Sequence, residues 1–216
     1  MSVQASRSEP GASEGHRVGF ANVSGAVLTG GASTRMGSDK AHLAIGGVAS
    51  ATRVARCLAR LCEDVVLVGG DPPPDAPGRR APDRDGPRCA LRGVVSALAA
   101  ARAERVWLVA TDVPFVTPDL LLALVAWPEA DAVVPRSPDG EHPLCALYRR
   151  EPALAVAERH LAQERLALSA LLGALDTRYL EGDDLRAVDP DGTALTNLNT
   201  GDDVARAITL PGLRAR

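Results

Sequence analysis

Short β-prone apolar runs alternate with stretches of helical period along most of this chain, and no other feature restricts the fold so much. Ser24–Leu28 is the first run, and it ends in Thr29-Gly30-Gly31, as a buried strand does where it hands over to a loop. Ala51–Leu61 sets Val54, Cys57, Leu58 and Leu61 at helical spacing, with Arg53, Arg56 and Arg60 on the other side. Val65–Val68 reads as a strand, Leu91–Ala103 as a helix, and Arg105–Ala110, with Trp107, as a third strand. Thr117-Pro118-Asp119 opens the next helix: threonine caps, proline suits the first helical position, and aspartate complements the dipole. Asp131–Pro135 and Leu144–Arg149 read as strands, and Glu151–Leu161 and Ala167–Leu175 as helices. Thr200, with Asp203 three residues on, resembles the capping box of a last helix that reaches Ile208.

Such alternation predicts an α/β fold, a three-layer α/β/α sandwich with a mostly parallel central sheet covered on both faces. A length of 216 residues suits one such domain, over residues 23–210. Residues 1–22, rich in Ser, Gly, Ala, Glu and Arg and without the apolar segment of a secretory signal, are expected to be a flexible tail. The proline-rich stretch Gly69–Cys89 is expected to be irregular throughout, and loops of that length are often functional. Ligands of parallel sheets sit at the carboxyl ends of the strands, which points to the loops after Leu28, Val68 and Ala110.

Charge narrows the partners. With 24 basic and 27 acidic residues, the balance argues against broad binding to nucleic acid or to an anionic membrane. No window approaches the roughly 18 apolar residues that a membrane helix needs. Cys57, Cys62, Cys89 and Cys145 form no CxxC pair or zinc-finger spacing and lie in or beside apolar segments, so they read as buried free thiols. A cytoplasmic protein is expected. Within the basic count stand 23 arginines and a single lysine, Lys40. Asparagine is confined to Asn22, Asn197 and Asn199, and Met36 is the one methionine after the initiator. A residue that escapes so strong a bias calls for a chemical explanation.

Lys40 closes the densest signal in the chain, Thr29-Gly30-Gly31-Ala32-Ser33-Thr34-Arg35-Met36-Gly37-Ser38-Asp39-Lys40. Neither the P-loop pattern nor Gly-x-Gly-x-x-Gly can be read there. Adjacent glycines, Gly30 and Gly31, nevertheless let backbone approach an anion and turn amides towards it. Arg35 and Lys40 add positive charge at the same rim, which suits a triphosphate or the pyrophosphate that leaves it. The alternative is a tight turn with two solvated cations. The lone lysine favours phosphate, because an ammonium is a compact point charge that a planar guanidinium cannot copy. Asp112, in Thr111-Asp112-Val113-Pro114, follows a buried strand and either holds Mg²⁺ on phosphate oxygens or starts the next loop as an Asx-turn. Asn197 and Asn199 point the same way in extended backbone. They either hydrogen-bond a polar acceptor or a metal-bound phosphate, or cap the final helix.

Leu28-Thr29-Gly30-Gly31-x-Ser33-x-Arg35-Met36-Gly37-x-Asp39-Lys40, then Thr111-Asp112-x-Pro114, then Asn197-x-Asn199-Thr200, resemble the molybdenum cofactor guanylyltransferases, within the nucleotidyltransferases of Rossmann-like fold. The likeness runs through most of residues 24–208. It implies transfer of GMP from GTP to the terminal phosphate of molybdopterin, with Mg²⁺ and release of pyrophosphate. It implies further that the backbone of Leu28, Thr29 and Gly30 and the side chain of Lys40 contact GTP, and that Asp112 contacts both GTP and Mg²⁺. Asp83 stands where the family has a nucleotide-holding aspartate, with Asp85 as the alternative. Expected partners are GTP and molybdopterin, with transient contacts to molybdoenzymes or other cofactor-biosynthesis proteins. Another base or acceptor, as in a cytidylyl or sugar-phosphate transfer, and a non-catalytic assembly factor are the competing functions. Two departures fall on loops that shape the nucleotide pocket. Val68-Gly69-Gly70 stands where the family often has an asparagine, and Cys89-Ala90-Leu91-Arg92-Gly93 replaces Gly-Pro-Leu-Ala-Gly. His142, in His142-Pro143-Leu144, fits a family-like turn near the acceptor side and is read as structural.

Overall fold

A computed structural model describes residues 20–30, 40–198 and Asp203. Gly31, Arg35, Met36 and Asn199 lie outside the described residues, as do most of the N-terminal stretch and of the last expected helix, where Asp203 alone is described and is helical. The chain opens with β1 (Val23–Leu28), a small hairpin of β2 (Ala44–Ile45) and β3 (Val48–Ala49), α1 (Ser50–Ala59), β4 (Val65–Val68) and β5 (Arg79–Ala81). Next come α2 (Ala90–Ala100), β6 (Arg105–Ala110), α3 (Pro118–Ala123), β7 (Ala132–Ser137), β8 (Gly140–Glu141) and β9 (Cys145–Arg149). Last are α4 (Arg150–Ala162), α5 (Leu168–Leu172), β10 (Thr177–Leu180) and α6 (Gly182–Val188).

The main sheet runs β10-β7-β9-β6-β1-β4-β5, with β8 paired to β7. Strand β9 lies antiparallel between β6 and β7, and the other neighbours in that row are parallel. The mostly parallel sheet expected from the sequence is present. Side chains of β1 alternate between its faces, as the two-residue period of a strand requires. Val27 packs with Val54 and Leu58 of α1 and with Trp107 and Leu120, whereas Ala26 and Leu28 pack with Leu91, Val94 and Leu98 of α2. Helices therefore cover both faces, and all six positions of β1 and of β6 are buried. Thr117 caps α3 by accepting from the Leu120 amide, with Pro118 in the first turn. Phe20 lies edge-on to Trp107 at 5.6 Å between ring centroids, and the indole N–H donates to the Leu121 carbonyl at 3.0 Å. Among the described residues no helix is long and apolar enough to cross a membrane.

The main departures from the expected elements have physical causes. The stretch Gly69–Cys89 is not irregular throughout, because β5 extends the sheet beside β4. Its sequence, Arg79-Arg80-Ala81, carries no apolar pattern; an edge strand needs only backbone pairing on one side, and here a side chain anchors it. Arg79 Nε donates to Asp64 Oδ1 at 2.8 Å, and Nη2 donates to the Ala100 carbonyl at the end of α2 at 2.5 Å. Strand β10 and helix α6 were likewise not anticipated. Each buries a single residue, Leu180 and Leu185, so hydrophobic period could not mark them. Cys62 and Cys145 are buried free thiols as expected, but Cys57 and Cys89 are half-buried. Cys89 sits at the surface end of α2, where its sulfur caps the helix by accepting from the Arg92 amide at 3.4 Å.

Candidate active site

The register of the central strands brings three loops to one edge. Leu28 lies opposite both Val68 and Ala110, so β1, β4 and β6 end level and their loops open together. Thr29 ties the first loop to the second: its hydroxyl donates to the carbonyl of Gly69 at 2.6 Å and lies 3.0 Å from that of Val68. The amides of Thr29 and Gly30 also donate to the Val68 carbonyl, at 2.9 and 3.1 Å. Glycine is required across this seam. Gly69 and Gly70 have φ of +70° and +55°, and a Cβ on Gly70 would stand 2.5 Å from the Thr29 carbonyl oxygen. A Cβ on Gly69 would stand 2.7 Å from Asp83 Oδ2, and one on Gly30 would stand 3.0 Å from that oxygen.

That contact separates Asp83 from Asp85. The carboxylate of Asp83 rests against Gly30 and Gly69 at the mouth of the two loops. Asp85 is exposed and lies instead along a shallow depression with Arg84, Gly86 and Glu158. Asp83 Oδ2 accepts from Arg92 Nη2 at 3.1 Å, and the two side chains are 25% and 19% exposed.

Lys40 heads a 3-10 turn, Lys40–His42, that is fixed from two sides. Its carbonyl accepts from Ser50 Oγ of α1 at 2.5 Å, and His42 Nε2 lies 2.7 Å from the Asp71 carbonyl on the second loop. The ammonium reaches the third loop, 3.6 Å from Asp112 Oδ2, with the two side chains 22% and 26% exposed. The Asn197 segment arrives from the far end of the chain. The Leu198 amide donates to the Asp112 carbonyl at 2.8 Å, and the Leu198 side chain is buried with Ile45 and Phe115. Asn197 is left exposed next to that anchor. The described parts of all three sequence motifs thus meet at one edge of the sheet: Leu28, Thr29, Gly30 and Lys40 from the first, Asp112 from the second, Asn197 from the third.

His142 plays another part. Its Nε2 lies 2.8 Å from Ser137 Oγ, which in turn accepts from the Asp139 amide at 3.1 Å, so the ring braces the turn between β7 and β8. Burial lowers its pKa below the ordinary imidazole value, although Asp139, Asp189 and Asp112 oppose the shift. Sequence reasoning overlooked two residues of the edge. His42 grips a backbone carbonyl 29 residues away, which no local pattern records. Arg92 was visible only as a departure from the family pattern, with no partner to explain it.

Among the described residues there is no group of three or more His, Cys, Asp or Glu side chains that could hold a metal ion. The Asp112 carboxylate beside the Lys40 ammonium suits a Mg²⁺ that arrives with a triphosphate, since that ion commonly takes one or two carboxylates and completes its shell with phosphate oxygens and water. The donor set therefore fits the ion expected from the sequence.

A parallel sheet whose carboxyl edge gathers a glycine seam, an ammonium and the carboxylates of Asp83 and Asp112 suits an enzyme that transfers nucleotidyl groups. Residues 25–177 match the family described as MobA-like NTP transferase domain, and the chain belongs to that family. It is 35% identical over 191 residues to the molybdenum cofactor guanylyltransferase of Desulfosudis oleivorans, with 86% of this chain and 94% of that one covered. Its structure is similar to that of molybdopterin-guanine dinucleotide biosynthesis protein A from Archaeoglobus fulgidus, at a TM-score of 0.72 and 26% identity, covering 85% of this chain and 96% of that one. The fold alone is shared with 2-C-methyl-D-erythritol 4-phosphate cytidylyltransferase from Thermus thermophilus, at a TM-score of 0.66 and 17% identity, covering 89% and 99% of the two chains.

Proposed function

We propose that this protein transfers GMP from GTP to the terminal phosphate of molybdopterin, forming the guanine dinucleotide form of the molybdenum cofactor. The observation that carries the reading is the meeting of Lys40 and Asp112 at the sheet edge that also holds the glycine seam, in a chain whose relatives include named guanylyltransferases. A phosphate oxygen of the acceptor attacks the α-phosphorus of GTP in line. The new P–O bond forms as the bond from the α-phosphorus to the α,β-bridging oxygen breaks, and the electron pair leaves with pyrophosphate. An ionised acceptor needs no general base, in keeping with a histidine, His142, committed to a turn. Lys40 stabilises charge on the leaving pyrophosphate, joined by Arg35 and by the Gly31 amide, the Gly30 amide being engaged by the Val68 carbonyl. Asp112 would hold Mg²⁺, which when bound neutralises phosphate oxygens. Asp83 meets the nucleotide, while Asn197 and Asn199 serve the acceptor or the phosphates. The reading places the reaction in the cytoplasm, supported by Cys62, Cys89 and Cys145 held as free thiols.

The test is pyrophosphate release measured with each nucleoside triphosphate, with and without molybdopterin. Release is expected with GTP and only when molybdopterin is present. Equal use of CTP would sink the guanylyl assignment. Lys40→Ala and Asp112→Ala are expected to abolish turnover and the supply of cofactor to molybdoenzymes in cells; normal supply from both variants overturns the catalytic reading.

A further inference from the structure

We propose that Arg92 is a positioning residue, which presents the Asp83 carboxylate to the nucleoside half of the bound nucleotide. The inference rests on the function proposed above and deepens it at a residue where the family pattern has alanine. Arg92 lies in the first turn of α2, and its guanidinium turns back over the loop that follows β5. Nη2 donates to Asp83 Oδ2 at 3.1 Å and Nη1 to the Gly86 carbonyl at 3.2 Å, so one side chain grips both ends of Asp83–Gly86. Its Nε is buried and has no hydrogen-bond partner among the described residues, which marks a guanidinium seated against the protein rather than one swinging in water. One turn along, the buried Ser96 hydroxyl donates to the Arg92 carbonyl at 2.8 Å and accepts from the Arg84 amide at 2.9 Å. The peptide just after Asp83 is thereby fixed as well.

On its other side the carboxylate rests on Gly30 and Gly69, where no side chain could be accommodated without displacing it. Held through Oδ2, it makes no hydrogen bond through Oδ1 among the described residues. A fixed carboxylate at the mouth of the first two loops, with one oxygen not engaged among the described residues, suits ribose hydroxyls or base N–H groups and repels phosphate. The phosphate end is marked separately, by the ammonium of Lys40 beside Asp112. Without Arg92 the carboxylate would lose the one hydrogen bond that orients it among the described residues, and each binding event would carry part of the entropy of ordering it again.

The experiment compares Arg92→Ala and Arg92→Lys, each alone and combined with Asp83→Asn, by steady-state kinetics with GTP and by the thermal midpoint of every variant. R92A is expected to raise the KM for GTP about tenfold, on the scale of a charge-assisted hydrogen bond, while kcat falls far less. R92K, which keeps a donor but not the fork, is expected to recover part of that loss and serves as the test should R92A not fold. In the D83N background R92A is expected to add little, because the carboxylate that it positions is gone. An unchanged KM in R92A, or an equal factor in both backgrounds, overturns the positioning role and leaves the function standing. Wild-type protein that neither binds nor turns over GTP overturns the functional reading, and this inference with it.

Discussion

Lys40→Arg keeps the charge at the glycine seam and changes only where that charge sits, so it isolates the geometry of the lysine. The Lys40 backbone cannot retreat to accommodate a longer head group, since Ser50 Oγ holds its carbonyl at 2.5 Å and His42 is tied to the second loop. The ammonium lies 3.6 Å from Asp112 Oδ2, and the proposed phosphate contact is taken at the same distance. Moving the centre of charge outward by about 1.4 Å, at an effective dielectric constant of about 20, weakens attraction to a unit negative charge from about 4.6 to about 3.3 kcal/mol. That difference of about 1.3 kcal/mol is about tenfold in rate, and two phosphate charges on the leaving group make it about a hundredfold. The assay is pyrophosphate release with GTP, Mg²⁺ and molybdopterin, with kcat/KM measured for wild type, K40R and K40A. K40R is expected to lose about a hundredfold and K40A still more, with thermal midpoints nearly unmoved because a partly exposed pair contributes little stability. Turnover by K40R within about threefold of wild type, a factor below the ~1.4 kcal/mol of a tenfold change, would refute the geometric requirement and leave the lone lysine an accident of composition.

Two further outcomes follow from the frame around the site. Asp64 is pulled below the ordinary carboxylate range: burial works against its charge, but hydrogen bonds from Arg79, Ser24 and the Arg102 amide outweigh that cost. A carboxylate with a lowered folded pKa stabilises fully above its unfolded value, about 3.9, and loses that contribution as pH falls through the folded value. Asp64→Asn is therefore expected to cost about 2–3 kcal/mol at pH 7, and its urea midpoint should depend less steeply than wild type on pH below about 4. Parallel pH curves for the two proteins would refute the linkage. Gly70→Ala places a Cβ 2.5 Å from the Thr29 carbonyl at a φ of +55°. It is expected to lower stability by more than about 1 kcal/mol and to weaken GTP binding, read by calorimetry, because the seam between the first two loops must open.

The parts that could be read from the sequence are those where burial or rarity leaves a mark. Strands β1, β4 and β6 lie in the middle of a parallel sheet, are buried at every position, and so appear as unbroken apolar runs. Edge strands carry no such mark. Thr177-Arg178-Tyr179-Leu180 buries only its last residue, with Tyr179 lying 3.4 Å beneath the Arg136 guanidinium, a contact between residues 43 positions apart. Lys40 and Asp112 stood out in the site, the first as the sole lysine and the second as a carboxylate where an apolar run stops. Which of Asp83 and Asp85 rests against Gly30 and Gly69 depends on the path of a loop, which local pattern does not encode. Arg92 had no compositional signal at all: one arginine among 23 is inconspicuous until its partner is seen.

The two ends of the sheet use the same residue types in opposite ways. At the amino end, Asp64 accepts four hydrogen bonds, from Ser24 Oγ at 2.6 Å, Arg79 Nε at 2.8 Å, and Arg79 Nη2 and the Arg102 amide at 3.2 Å each. Both of its oxygens are satisfied, and it joins β1, β5 and the end of α2; nothing there remains for a ligand to complete. At the carboxyl end, Asp83 engages Arg92 through one oxygen, and Asp112 meets Lys40 at 3.6 Å, beyond hydrogen-bond distance. A purely structural role gives no reason for the second pattern, since the chain shows at Asp64 that it can saturate a carboxylate. Among the described residues the oxygens left unsaturated lie on the loops that follow β5 and β6, at the edge where the parallel strands β1, β4 and β6 end level, so the acceptors a nucleotide would complete are where the topology collects them.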